Sequence, residues 1–148
     1  MFILISTAAI LVGLTVAMHA VGLAVLLSRL IISHAQPPTR LWPVTWLLIR
    51  VTWWLILTHL AGVSVWGSFY YWQGCLPDVE SAFYFAGVTW TTVGYGDLVL
   101  PKPWRMLGPV EGLTGILMCG LSAGFFFAVV SRIYVSTTNE VRAVEIND

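Results

Sequence analysis

Thr91-Thr92-Val93-Gly94-Tyr95-Gly96-Asp97 is a short polar turn set between two hydrophobic runs, and its reading decides the fold. Gly94 and Gly96 admit the positive φ that neighbouring carbonyls need if they are to turn the same way. Just upstream, residues 79–90 form an apolar piece about 18 Å long as a helix. A bilayer core takes roughly 20 residues to cross, so this helix reaches only partway in. A half-crossing helix followed by a glycine-rich return is a re-entrant loop, which persists at membrane depth only where protein or water surrounds its backbone. Pro77, with Asp78 and Glu80 in the first turn, marks the helix start, where missing N–H bonds and the positive dipole end favour proline and acids. The partly negative end then points toward the bilayer centre near Thr91, where a cation is stabilised.

Composition supports the membrane setting independently. Of 148 residues, 58% are hydrophobic and only 9% charged, too little polar surface to coat a soluble globule. Three apolar runs, over residues 2–27, about 43–71 and about 107–131, are each long enough to span a bilayer. The expected fold class is an all-α membrane protein with three transmembrane helices per subunit plus a re-entrant helix and loop. The first run lacks a basic leading segment and is too long for a signal-peptide core, so a retained helix is expected. Arg29, Arg40 and Arg50 surround the link between the first two runs, and Arg132 and Arg142 follow the third; Lys102 and Arg105 lie on the side of the turn. That bias puts the turn outside, the C-terminus in the cytoplasm and, with three spans, the N-terminus outside.

In this setting the seven-residue turn resembles the selectivity filter of potassium channels, and residues 43–134 resemble the two-transmembrane pore-loop channels of bacteria. The resemblance implies an outer helix over about 43–71, a pore helix over about 77–91, the filter at 92–97, an inner helix over about 107–132 and a short cytoplasmic tail at 135–148. The helix at 1–32 is an addition to that plan. It further implies that Thr92, Val93, Gly94 and Tyr95 supply the oxygens that replace the hydration shell of K+. Thr91, Gly96 and Asp97 support them, with Asp97 at the outer mouth and the Val93 and Tyr95 side chains packed behind. One filter motif and no internal repeat mean that a four-fold ring takes four chains. The expectation is a homotetramer in lipid, in a bacterial inner membrane, passing K+ passively with no cofactor; a separate regulatory subunit is compatible with it.

The departures from the family pattern are as informative. The best-studied bacterial member carries a carboxylate where this chain has Val88, and Tyr84 matches a tryptophan that there braces the acid matching Asp97, so the Tyr84 hydroxyl is a candidate substitute in supporting the filter. Glu111 is the sole acid in the third run, and it either faces the back of the pore helix or reaches the outer interface. Gly108, Gly112, Gly115, Gly120 and Gly124 read mostly as helix-packing positions. Among them Gly115 matches the family's hinge glycine. Steps of one turn from it give Cys119, Ala123, Phe127 and Ser131 as pore-lining candidates. Phe127 then either closes a dewetted gate or is ordinary lipid-facing bulk.

His19 is ten residues before Arg29 and His59 nine after Arg50, which puts both about 14 Å from one membrane boundary. At one depth on neighbouring helices they are candidates for an intramembrane contact or a pH sensor. Trp42, Trp46, Trp53, Trp54, Tyr70, Tyr71, Trp72 and Trp104 include candidates for interfacial belts. Cys75 and Cys119 differ in depth and are expected to be free thiols. Seven basic and seven acidic residues without a basic stripe give no support to nucleic-acid binding. No nucleophile–base or metal-ligand constellation points to an enzyme. The remaining alternatives are a weakly selective cation channel, against which Tyr95 argues, and a non-conducting accessory subunit.

Overall fold

The computed structural model describes residues 2–33 and 41–147, with side chains for 2–31 and 41–138. Arg40 and the side chain of Arg142, both used in the charge argument, lie outside the described residues. Among the described residues four helices follow one another: α1 (Phe2–Ser33), α2 (Leu41–Trp72), α3 (Val79–Trp90) and α4 (Leu107–Asn147). Three of them, α1, α2 and α4, are long and apolar enough to cross a membrane, whereas α3 has only 12 residues.

The start of α3 is set by Asp78, which is extended at φ −149° and accepts from the Ser81 backbone N–H at 2.8 Å and the Ser81 hydroxyl at 3.0 Å. A carboxylate here satisfies a backbone donor that has no helical partner. Those bonds hold the Asp78 carboxyl below the usual aspartate range. Pro77 therefore stands ahead of the cap and not in the first turn. At the other end, the N–H groups of Thr91 and Thr92 return to the carbonyls of Gly87 and Thr89, and the helix closes.

Small residues on the long helices decide how closely α3 is held. A Cβ at Gly62 would lie 2.7 Å from the Trp90 ring, and one at Gly67 3.1 Å from Phe83, so these two glycines seat α3 against α2. From the opposite side Gly115 of α4 meets the Trp90 backbone. Trp66, Tyr70, Phe85, Trp90 and Leu107 form the core around α3, and a second cluster of Leu26, Leu47, Val51, Leu55 and Ile133 joins α1, α2 and α4 nearer the other end.

α1 lies against α2 and α4 but, among the described residues, makes no backbone approach to α3. It closes on α2 at Gly22, whose Cβ would stand 2.9 Å from Thr58 Cγ2, and the Trp54 indole donates to the Gly22 carbonyl at 2.8 Å. Trp54 is thus a crossbar between α1 and α2. Tyr70 is fully buried and leaves the belt, while Trp42, Trp46, Trp53 and Trp72 are exposed. α4 also departs from expectation by running on beyond 132 to Asn147. After Gly124 the chain has neither glycine nor proline, so nothing in it stops the helix.

Candidate functional site

Segment 91–97 leaves the carbonyl end of α3 and is pinned there by a bond from the Gly94 N–H to the Val88 carbonyl at 3.1 Å and from the Thr91 hydroxyl to the Gly87 carbonyl at 2.8 Å. Gly94 and Gly96 take φ of +51° and +78°. A Cβ on either would meet nothing within 4 Å, so glycine is required by backbone conformation and not by space. Thr92 takes φ +61° as well, although it is β-branched. A left-handed threonine costs on the order of 1–3 kcal/mol and is held only where its surroundings dictate it.

The side chains of 91–97 lie open in the single subunit. Val93 is 52% and Tyr95 72% exposed, so the packing expected behind the segment does not come from their own chain. Tyr84 on α3 interacts with Asp97. Hydrogen bonding to that carboxylate, followed by partial desolvation and the negative charge, raises the Tyr84 phenol above its ordinary range.

Glu111 does not reach an interface. It is fully buried, and the Tyr70 hydroxyl donates to its Oε2 at 2.8 Å, which ties α4 to α2. Among the described residues its Oε1 and the Trp66 Nε1 of α2 have no partner. On the same helix Gly115 is buried, with the position of its absent Cβ 2.2 Å from the Trp90 carbonyl oxygen. Close approach is therefore a reason for this glycine besides the hinge suggested by resemblance. Cys119, Ala123 and Phe127, one turn apart below it, are exposed, and Ser131 is half-buried. The face changes from covered to open because α3 ends at Trp90 and none of the described residues covers α4 in its place further down. Phe125 and Phe126 pack partly into the second cluster, whereas Phe127 is 71% exposed.

The two histidines come together, with ring centroids 5.0 Å apart. His19 Nε2 lies 3.1 Å and His59 Nε2 3.0 Å from one atom, Ser122 Oγ of α4. The Trp90 indole donates to His59 Nδ1 at 3.3 Å. Sequence reasoning missed Ser122 and Trp90 here, although a signal for Ser122 was present. It lies ten residues before Arg132, the spacing of His19 before Arg29, and the same count of depth finds it. Both cysteines are free; Cys75 is buried, which raises its thiol above the ordinary range, and Cys119 is exposed.

A family model described as an ion channel matches residues 58–132, just over half of the chain, taking in the later part of α2, all of α3, segment 91–97 and α4 as far as Arg132. α1 lies outside the match. No curated protein and no solved structure matches the chain.

Proposed function

The chain belongs to the ion channel family, and from that premise we propose that it is a potassium-selective channel, passive and homotetrameric, in which residues 92–95 of four chains surround one axis. The observation that carries the reading is the Thr92-Val93-Gly94-Tyr95-Gly96 sequence leaving the carbonyl end of a half-span helix with left-handed φ at Thr92, Gly94 and Gly96. Left-handed residues alternating with ordinary ones turn successive carbonyls toward the same side. Four such segments form rings of oxygens that replace the hydration shell of K+. The Thr92 hydroxyl extends the series at its inner end, and the partly negative end of α3 favours a cation just below it. Exposed Val93 and Tyr95 are the surfaces that neighbouring subunits would cover, and Tyr84 with Asp97 braces the outer mouth.

The arginine distribution supports a bacterial-type inner membrane with the proposed filter and N-terminus outside and the end of α4 in the cytoplasm. The exposure of Phe127 on α4 supports a role in narrowing the path below the filter, with Cys119 and Ala123 above it. α1 is an added helix outside the pore proper.

Purified protein in liposomes should carry K+ in preference to Na+. Gly94→Ala should abolish that conduction, since the new Cβ meets no atom within 4 Å yet opposes φ +51° by about 1–2 kcal/mol in each chain. Undiminished K+ selectivity in Gly94→Ala removes the filter assignment. Wild-type silence relieved by a second protein makes this chain an accessory subunit instead.

A further inference from the structure

All four helices meet at one hydrogen-bonded chain, and the chain has a direction. An indole N–H only donates, so the bond from Trp90 requires a bare lone pair on His59 Nδ1. Neutral His59 then carries its proton on Nε2 and donates it to Ser122 Oγ. The single hydroxyl proton of Ser122 is then free for His19 Nε2, and when it is donated there His19 carries its own proton on Nδ1. The order is Trp90 of α3, His59 of α2, Ser122 of α4 and His19 of α1. α1, without a backbone approach to α3, joins at the accepting end.

The consequences of protonation differ at the two histidines. A proton added to His19 Nε2 turns it into a donor, which Ser122 accommodates because its oxygen has two lone pairs. A proton added to His59 Nδ1 faces another N–H, and the bond to Trp90 is lost. Within the single subunit His19, Trp90 and Ser122 are 1%, 2% and 5% exposed, and His59 alone is half-buried, so it is the one member of the chain that its own subunit leaves with an open edge. Among the described residues the only ionisable side chain facing His59 is His19 on α1. α3 offers none at this level, Cys119 of α4 is turned outward, and Glu111 of α4 and Tyr70 of α2 lie about three turns away.

We propose that His59 is a positioning residue for the filter, acting through Trp90, and that a proton taken up at its Nδ1 releases the inner end of α3 and lowers potassium flux. This rests on the channel reading above, since Trp90 immediately precedes Thr91 and Thr92. α1 contributes the last acceptor, which holds the Ser122 hydroxyl in the orientation the chain needs.

The test is K+ flux of the full-length protein in liposomes, titrated over the histidine range of about pH 5 to 8. Wild type should lose about fivefold in flux on acidification with a one-proton slope, the effect of one ordinary hydrogen bond. Trp90→Phe keeps an aromatic ring but removes the donor, and should show the lowered flux at every pH with no slope. His19→Gln keeps an acceptor for Ser122 and should retain the slope. A slope that survives in Trp90→Phe, or vanishes in His19→Gln, overturns the proposal. Imidazole and indole nitrogen NMR in the same liposomes reads the chain without any flux. The expected result is His59 protonated at Nε2 at neutral pH, with an indole N–H signal of Trp90 that shifts as His59 titrates. His59 protonated at Nδ1 at neutral pH overturns the inference even if conduction is normal. Absence of flux at all pH values, with the expected tautomers, refutes the channel reading and leaves the hydrogen-bond order standing.

Discussion

Gly115→Ala separates two roles for the same glycine, because they change stability in opposite directions. If Gly115 serves only as a hinge, alanine strengthens α4 by about 1 kcal/mol through helix propensity. The structure opposes that gain with a collision: the new Cβ would lie 2.2 Å from the Trp90 carbonyl oxygen, 3.0 Å from its carbon and 3.2 Å from its Cα. Carbon–oxygen contacts settle near about 3.4 Å, so α3 and α4 must part by about 1 Å. The obstacle is backbone, which cannot rotate away as a side chain can. Overpacking of this kind costs about 1–3 kcal/mol, which equals or exceeds the propensity gain. Trp90 is also one residue from Thr91, so the displacement is delivered to the base of the proposed filter. Gly120 is the matched control, with nothing within 4 Å of its Cβ position. Melting of the assembled protein in detergent, read beside K+ flux in liposomes, should show Gly115→Ala less stable and poorly conducting, with Gly120→Ala at least as stable as wild type. A Gly115→Ala protein that melts at or above wild type and conducts normally refutes the packing argument and returns the residue to a hinge.

Three further outcomes follow from the same contacts. Tyr70→Phe leaves Glu111 Oε2 as unpartnered as Oε1 already is and should cost about 1–3 kcal/mol in a melting assay, while Glu111→Gln, which keeps an acceptor for Tyr70, should cost less. Asp78→Ala removes the cap of α3; because the folded carboxyl is held below its ordinary range by Ser81, the cap's stabilisation is full above the ordinary aspartate pKa and lost as pH falls through the lowered value, so wild type and variant should differ in melting temperature at neutral pH and converge in strong acid. Phe127→Ala should raise flux and open Cys119 to a charged thiol reagent applied from the side of the α4 C-terminus, whereas Phe126→Ala, whose ring packs within the subunit, should act mainly on melting; the reverse result puts the open face of α4 one residue out of register.

What could be read from the sequence depended on how local the cause is. The half-span length of α3 and the positive φ of Gly94 and Gly96 follow from residue type and neighbours alone. Thr92 was not legible in the same way, since its left-handed φ runs against its own preference and is set by closure of the α3 end through Thr89. Tyr70 misled for the opposite reason. Its place near the end of an apolar run reads as interface, yet α3 folds back over that part of α2 and buries it against Glu111. A re-entrant helix turns end-of-span aromatics into core, and periodicity along one helix carries no record of that.

Depth is the part of tertiary structure that a membrane sequence does carry, and the polar chain shows how far it reaches. Counting inward from Arg29, Arg50 and Arg132 puts His19, His59 and Ser122 on one level, and all three touch. The count works because each helix rises by the same increment from the same boundary. It cannot rank them by facing, which depends on rotation about each axis, and it cannot include Trp90, because α3 does not start from that boundary. Rotation is supplied by the small residues: Gly22 lets α1 close on α2 at Thr58, next to His59, and Gly62 admits the Trp90 ring. Polar groups at one depth become a connected chain only when such residues turn them toward each other. It follows that enlarging Gly62 should disconnect Trp90 from His59 while leaving the His19–Ser122 pair in place.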